Sequence, residues 1–133
     1  MRELRDIKYY LRNRFVNKTH LVELTKLEKG QWCDTDTRIF EACFELLKFY
    51  VEKDRTLEGL EEECNMDNPE NLVDEDYSEM LIDQANRARR VRELYYWYLR
   101  HTDAWEAHDT DAVFEEENKK LHELIDLRTS LWT

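Results

Sequence analysis

DEDYSEMLIDQANRARRVRELYYWYLRH, residues Asp74 to His101, decides the fold. Tyr77, Leu81, Ala85, Ala88, Val91, Tyr95 and Tyr98 recur at steps of three and four, which lines one side of an α-helix with apolar groups. At 1.5 Å per residue such a helix is about 42 Å long, so it has to be a long member of a helical bundle or project from one. Ala85 and Ala88 are small and let a neighbouring helix approach closely.

The same period extends on both sides. Upstream, Asp34, Thr35 and Asp36 are all good N-caps for a second helix that runs to about Arg55. Its predicted inner face is Ile39, Cys43, Leu46, Leu47 and Tyr50, widened by Phe40, Phe44 and Val51. Leu57 and Leu60 extend it after a break at Gly59. Between these helices, 61–74 is acidic and contains Pro69, so it reads as a flexible connection. Downstream, Asp109 or Thr110 caps a last helix with the stripe Val113, Phe114, Leu121, Leu124, Ile125 and Leu131, and Trp132 docks after it. At the start, Leu4, Ile7, Leu11 and Phe15 form a stripe on a helix from about Arg2 to Val16, the basic part of the chain. Leu21, Leu24 and Leu27 predict a short helix ended by Gly30, with Trp32 tucked inward. The expectation is an all-α fold: one domain, 1–133, built as an antiparallel bundle of four main helices plus one short helix.

Composition supports this and excludes much else. The chain of 133 residues has only two glycines and one proline. Average usage would give about nine and about seven. Rossmann folds, P-loops and β-sandwiches need glycine at turns and phosphate loops, so they are excluded. Hydrophobic residues are 41% of the chain, with four Trp, seven Tyr and five Phe, which is enough for a core. Acidic residues number 31 against 20 basic, a net charge of −11. That balance argues against direct binding to nucleic acid or anionic lipid, and favours a protein partner. Cys33, Cys43 and Cys64 have no CxxC spacing and read as free thiols in a reducing compartment. The charged start, Met1 to Lys8, is no secretory signal, and the longest apolar run, Leu94 to Leu99, is far too short to span a membrane. The expected location is cytoplasmic.

Four constellations bear on chemistry. Glu41 and Glu45 lie one turn apart on the second helix, and Glu79 and Asp83 one turn apart on the third. Were the two faces to meet, four carboxylates would hold Mg²⁺. The arrangement is similar to that of all-α NTP pyrophosphatases, which use ExxE and ExxD pairs on adjacent helices. Here both spacings are four rather than three. The alternative reading is a pair of solvated polar stripes opposite the core. The histidines, His20, His101, His108 and His122, are scattered, and no HExxH motif is present. Arg87, Arg89, Arg90, Arg92 and Arg100, interleaved with Tyr95, Tyr96, Trp97 and Tyr98, form the third constellation, with Arg87, Arg90, Tyr96, Trp97 and Arg100 as its candidate binding residues. Arginine forks and aromatic faces suit a nucleotide, an acidic peptide or a protein hot spot. The alternative is that the tyrosines face the core and the arginines pair with nearby acids. Last, acidic runs at 58–76 and at Glu115, Glu116 and Glu117 would mimic phosphates or meet a basic surface, or serve only solubility. No catalytic triad or activated cysteine stands out, so the chain leans away from being an enzyme, with no cofactor outside the Mg²⁺ reading.

In the first half, Lys8-Tyr-Tyr-Leu-Arg-Asn-Arg-Phe15, Lys18-Thr-His20, Lys29-Gly-Gln-Trp32, Asp36-Thr-Arg38 and the run to Phe49-Tyr-Val-Glu52 resemble a set of small helical proteins of tailed bacteriophages, over about the first 55 residues. The resemblance implies a phage product working in the cytoplasm of an infected bacterium, and it carries over no catalytic residue. Three functions are therefore in view. The first is an accessory protein that binds a host or phage protein, inhibition of host defence included. The others are an Mg²⁺-dependent nucleotide pyrophosphohydrolase and a minor virion or assembly component. Self-association through the long aromatic third helix is also open to it.

Overall fold

The computed structural model describes residues 4–16, 34–101 and 109–131, which carry five α-helices and no strand. These are α1 (Leu4–Leu11), α2 (Thr35–Phe49), α3 (Leu57–Cys64), α4 (Glu75–Arg100) and α5 (Thr110–Leu127). α1 and α2 each continue into a π-helical turn, Arg12–Val16 and Tyr50–Asp54. The expected all-α class is correct. The short helix expected at Leu21 to Leu27, the Gly30 cap, the placement of Trp32 and Trp132, and His20, Cys33 and His108 lie outside the described residues. The chain divides into two compact units, Met1–Glu45 and Leu46–Thr133.

In the first unit, α1 buries none of its residues. The stripe read from Leu4, Ile7, Leu11 and Phe15 is present but faces solvent. The start of α2 does bury side chains: Phe40 and Phe44, whose rings lie 4.8 Å apart, and with them Glu41 and Glu45. Of the α2 face expected from sequence, Ile39 and Leu46 are exposed. The buried arc is rotated toward the carboxylates, so the reading of Glu41 and Glu45 as a solvated stripe is corrected. They are 2% and 5% exposed, and neither stands without a partner. A wide apolar arc leaves the rotation of a helix about its own axis underdetermined, and a carboxylate with a partner can be carried inside.

The second unit is organised on α4. Leu81, Ala85, Ala88, Val91, Leu94, Tyr95 and Tyr98 are buried along it, the seam expected from sequence except that Tyr77 is exposed and Leu94, not expected there, is buried. α3 and α5 both pack on this helix. Both run antiparallel to it, because partners advance along one helix as they recede along the other. Arg92 meets Glu61 while Arg89 meets Cys64, and His101 meets Glu117 while Arg90 meets Glu123. α5 contributes Leu124 and Leu127, and α3 contributes Leu60 and Cys64. Phe114 and Ile125, read as part of the α5 stripe, are exposed. Each fully buried Leu adds roughly 1.5–3 kcal/mol.

α4 starts with Ser78 N–H donating to the Asp74 carbonyl at 2.7 Å, and Glu75 and Asp76 in its first turn suit the positive helix end. α5 is capped by Asp109, whose carboxylate accepts from Ala112 N–H at 3.0 Å. The π turn after α2 closes with Arg55 N–H donating to Tyr50 C=O at 2.9 Å, and it presents Tyr50 and Val51 inward and Glu52 toward α4. There the Tyr95 hydroxyl donates to Glu52 at 2.9 Å.

The break expected at Gly59 falls instead at Thr56. Gly59 lies inside α3, and its N–H donates to the Thr56 hydroxyl oxygen at 3.2 Å, the N-cap bond. Thr56 has φ 66° and ψ 150°, a region that essentially only glycine occupies without strain. The acidic stretch 61–74, read as a flexible connection, is tied down at its start. Residues up to Cys64 are helical, Glu63 is buried in an ion pair with Arg55, and Asp67 pairs with Arg89 at 2.5 Å. A short 3₁₀ turn, Pro69–Asn71, follows.

Two predictions come from these elements. Replacing the strained cap, Thr56→Gly, should stabilise the chain by about 1 kcal/mol: strain of about 1–3 kcal/mol is relieved while glycine costs only tenths as an N-cap. Thr56→Ala, which keeps the strain and loses the cap, should destabilise it; urea melts of both variants decide. The second concerns Tyr95, whose pKa is pushed up to about 12, first by burial and then by its bond to the Glu52 carboxylate. The unfolded chain loses that proton near pH 10, so it binds fewer protons than the folded chain above that pH. Stability is therefore whole below about pH 10 and falls as pH rises toward about 12, by up to roughly 3 kcal/mol. Tyr95→Phe should cost about 1 kcal/mol at neutral pH and remove this alkaline loss. Denaturation at neutral pH and near pH 11 measures both.

Candidate functional site

The arginines of α4 face two ways. On the α3 side, Arg89 donates to the Cys64 carbonyl at 2.7 Å, to Asp67 and to Asn86 at 3.1 Å, while Arg92 pairs with Glu61 at 2.7 Å. The Arg89 bond holds the Asp67 carboxyl below its usual range, and Asp67 in turn raises Arg89. Burial pushes the Cys64 thiol up, against a smaller opposing pull from Arg92, and burial raises Cys43 too. Neither thiol is activated as a nucleophile.

On the α5 side lie the residues read as a ligand surface. Arg87 pairs with Asp83 one turn away at 2.9 Å and reaches the Ser130 hydroxyl at 3.5 Å. Arg90 sits 3.5 Å from Glu123. Trp97 is half-buried, its indole N–H donating to Glu116 at 3.0 Å and its ring stacked on His101 at 4.5 Å. Lys120 lies over the same ring at 5.9 Å, and His101, itself buried, bonds Glu117 at 2.7 Å. These contacts latch the end of α4 to the start of α5. Trp97 is thereby committed within the fold, while Arg87 and Arg90 each pair with an acid and stay exposed. Tyr96, edge-on to Tyr95 at 5.1 Å, and Arg100 remain exposed, with Leu99 beside them.

The four carboxylates of the Mg²⁺ reading have unlike surroundings. Glu41 and Glu45 are buried, whereas Glu79 and Asp83 are exposed and Asp83 is engaged by Arg87. Among the described residues, no three His, Cys, Asp or Glu side chains gather as metal donors. Nor is any helix among them long and apolar enough to cross a membrane.

The surface that sequence reasoning missed is α1 with its π turn. Leu4, Ile7, Leu11, Phe15 and Val16 are all exposed, as are Tyr9 and Tyr10. Arg5, Lys8 and Arg12 flank one side of the stripe. On the other side the Arg14 guanidinium donates to the Tyr10 hydroxyl at 3.5 Å. With Asp6 as the sole acid, residues 4–16 carry a net +3 in a chain of −11. That charge contrast was the available signal. Periodicity alone does not tell an inward stripe from one turned outward.

The chain matches no protein-family model, no curated protein and no solved structure, so function is argued from these surfaces alone.

The latch makes a sharp stability contrast. Trp97→Ala removes a half-buried ring, its stack and its hydrogen bond, and should cost about 2 kcal/mol. Arg87→Ala breaks only a solvated pair and should cost less than about 0.5 kcal/mol. Chemical denaturation followed by circular dichroism checks both.

Proposed function

We propose that this chain is a binding protein without catalytic chemistry of its own: a phage accessory factor that acts in the cytoplasm of an infected bacterium by docking on a host or phage protein. Inhibition of a host defence is the use that such docking serves. The observation that supports this reading is α1, an amphipathic basic helix of which no residue is buried. An apolar stripe of Leu4, Ile7, Leu11 and Phe15, exposed among the described residues, costs free energy in water that a partner would recover. The spacing suits a helix laid in a groove, with one anchor per turn. Lys8 and Arg12 then ask for an acidic rim on that groove.

The test is capture from extracts of infected cells with the whole protein as bait, followed by titration of the purified partner. The variant Leu11→Asp/Phe15→Asp should lose at least about tenfold in affinity, as expected when central apolar anchors are removed. Binding unaltered by that variant would place recognition elsewhere and end this reading of α1.

A further inference from the structure

The chain carries a surface that matches α1 in both chemistry and sign. The run from Glu70 to Asp83 holds Glu70, Asp74, Glu75, Asp76, Glu79 and Asp83 and no Lys or Arg. Val73, Tyr77 and Met80 are exposed within it. On the first turns of α4, Tyr77 and Met80 are three residues apart and share a face, and Asp76, Glu79 and Asp83 flank that face on one side. Among the described residues, Glu70, Glu75, Asp76 and Glu79 enter no ion pair. This is an apolar strip with a negative border. α1 is an apolar strip with a positive border.

Both strips are exposed among the described residues. We propose that α1 of one copy packs on the Val73–Met80 face of a second copy, its Lys8 and Arg12 meeting Asp76 and Glu79. The inference rests on reading α1 as a docking element, and it names the occupant of that element before a target is met. Self-association then covers the exposed stripe, and a target has to compete for it. An anionic bilayer would also accept a basic amphipathic helix. The remainder of the chain is strongly acidic and would be repelled there, whereas the second copy supplies apolar contact and opposite charge together.

The experiment is sedimentation and light scattering of the whole protein over a range of concentrations and salt. The wild type should associate at low salt and come apart as salt screens the pairs. Lys8→Glu/Arg12→Glu and, separately, Asp76→Lys/Glu79→Lys should each be monomeric, with unchanged helical circular dichroism because all four side chains are exposed. Mixed in equal amounts, the two variants should associate with each other, since each then offers the sign the other lost. A wild type that stays monomeric at low salt would overturn the proposal. So would association that survives both charge reversals, or a mixture that stays monomeric when each variant alone does. Co-sedimentation with phosphatidylglycerol vesicles, lost in Lys8→Glu/Arg12→Glu and accompanied by a monomeric wild type, would assign the strip to lipid instead. Capture of a target through Leu11 and Phe15 by a monomeric protein would leave the docking reading intact and remove only the self-association.

Discussion

Burial along α4 is the constraint on which the larger unit depends. Leu94 and Tyr98 are almost wholly withdrawn from water, and Ala85 and Ala88 place no bulk in the way of a neighbour. α3, of eight residues, is too short to stand alone in water, and α5 too draws most of its stability from packing. Their apolar residues, Leu60 and Cys64 on one and Leu124 and Leu127 on the other, find that packing on α4. Arg89 and Arg92 draw the acidic end of α3 and the turn beyond it onto the rod, and Arg90 reaches Glu123 on the opposite side.

The electrostatics of the chain follow from that division of labour. A net charge of −11 puts many carboxylates close together, and their mutual repulsion opposes a compact state. The cations of α4 answer it in part: Arg89, Arg90 and Arg92 pair with acids of neighbouring helices or turns, Arg87 pairs with Asp83 on its own helix, and Arg100 stays exposed. The cations of α1 are placed differently. Lys8 and Arg12 border an apolar strip in water, and Glu70, Glu75, Asp76 and Glu79 are left without a local answer in ion pairs among the described residues.

Much of this was legible in the residues. The α4 seam was read from its spacing with two exceptions, Tyr77 turned out and Leu94 taken in, and the bounds of α4 and α5 followed from acidic first turns and the Asp109 cap. Such features are local, set within a turn or two of backbone. What was not legible is rotational and relational. The wide apolar arc of α2 allowed more than one inward face, and the one adopted takes Glu41 and Glu45 inside and leaves Ile39 and Leu46 out. A cap formed by a threonine with positive φ follows no propensity, so the helix break went to the glycine three residues on. The cluster of Arg87, Arg90, Tyr96, Trp97 and Arg100 was visible as a group, but which of its members are consumed internally depends on where α5 lies. That placement separates Trp97, committed to Glu116 and His101, from Tyr96 and Arg100, which stay in solvent.

The stack of Trp97 on His101 has an optical side. An indole in contact with an imidazole loses excitation to it, and one whose N–H is held by a carboxylate emits at a wavelength set by that bond. Trp97 contacts the end of α4 through His101 and the start of α5 through Glu116 and Lys120. Once Trp32, Trp105 and Trp132 are replaced, its emission becomes a native gauge of the contact between those two helices, present without any attached dye.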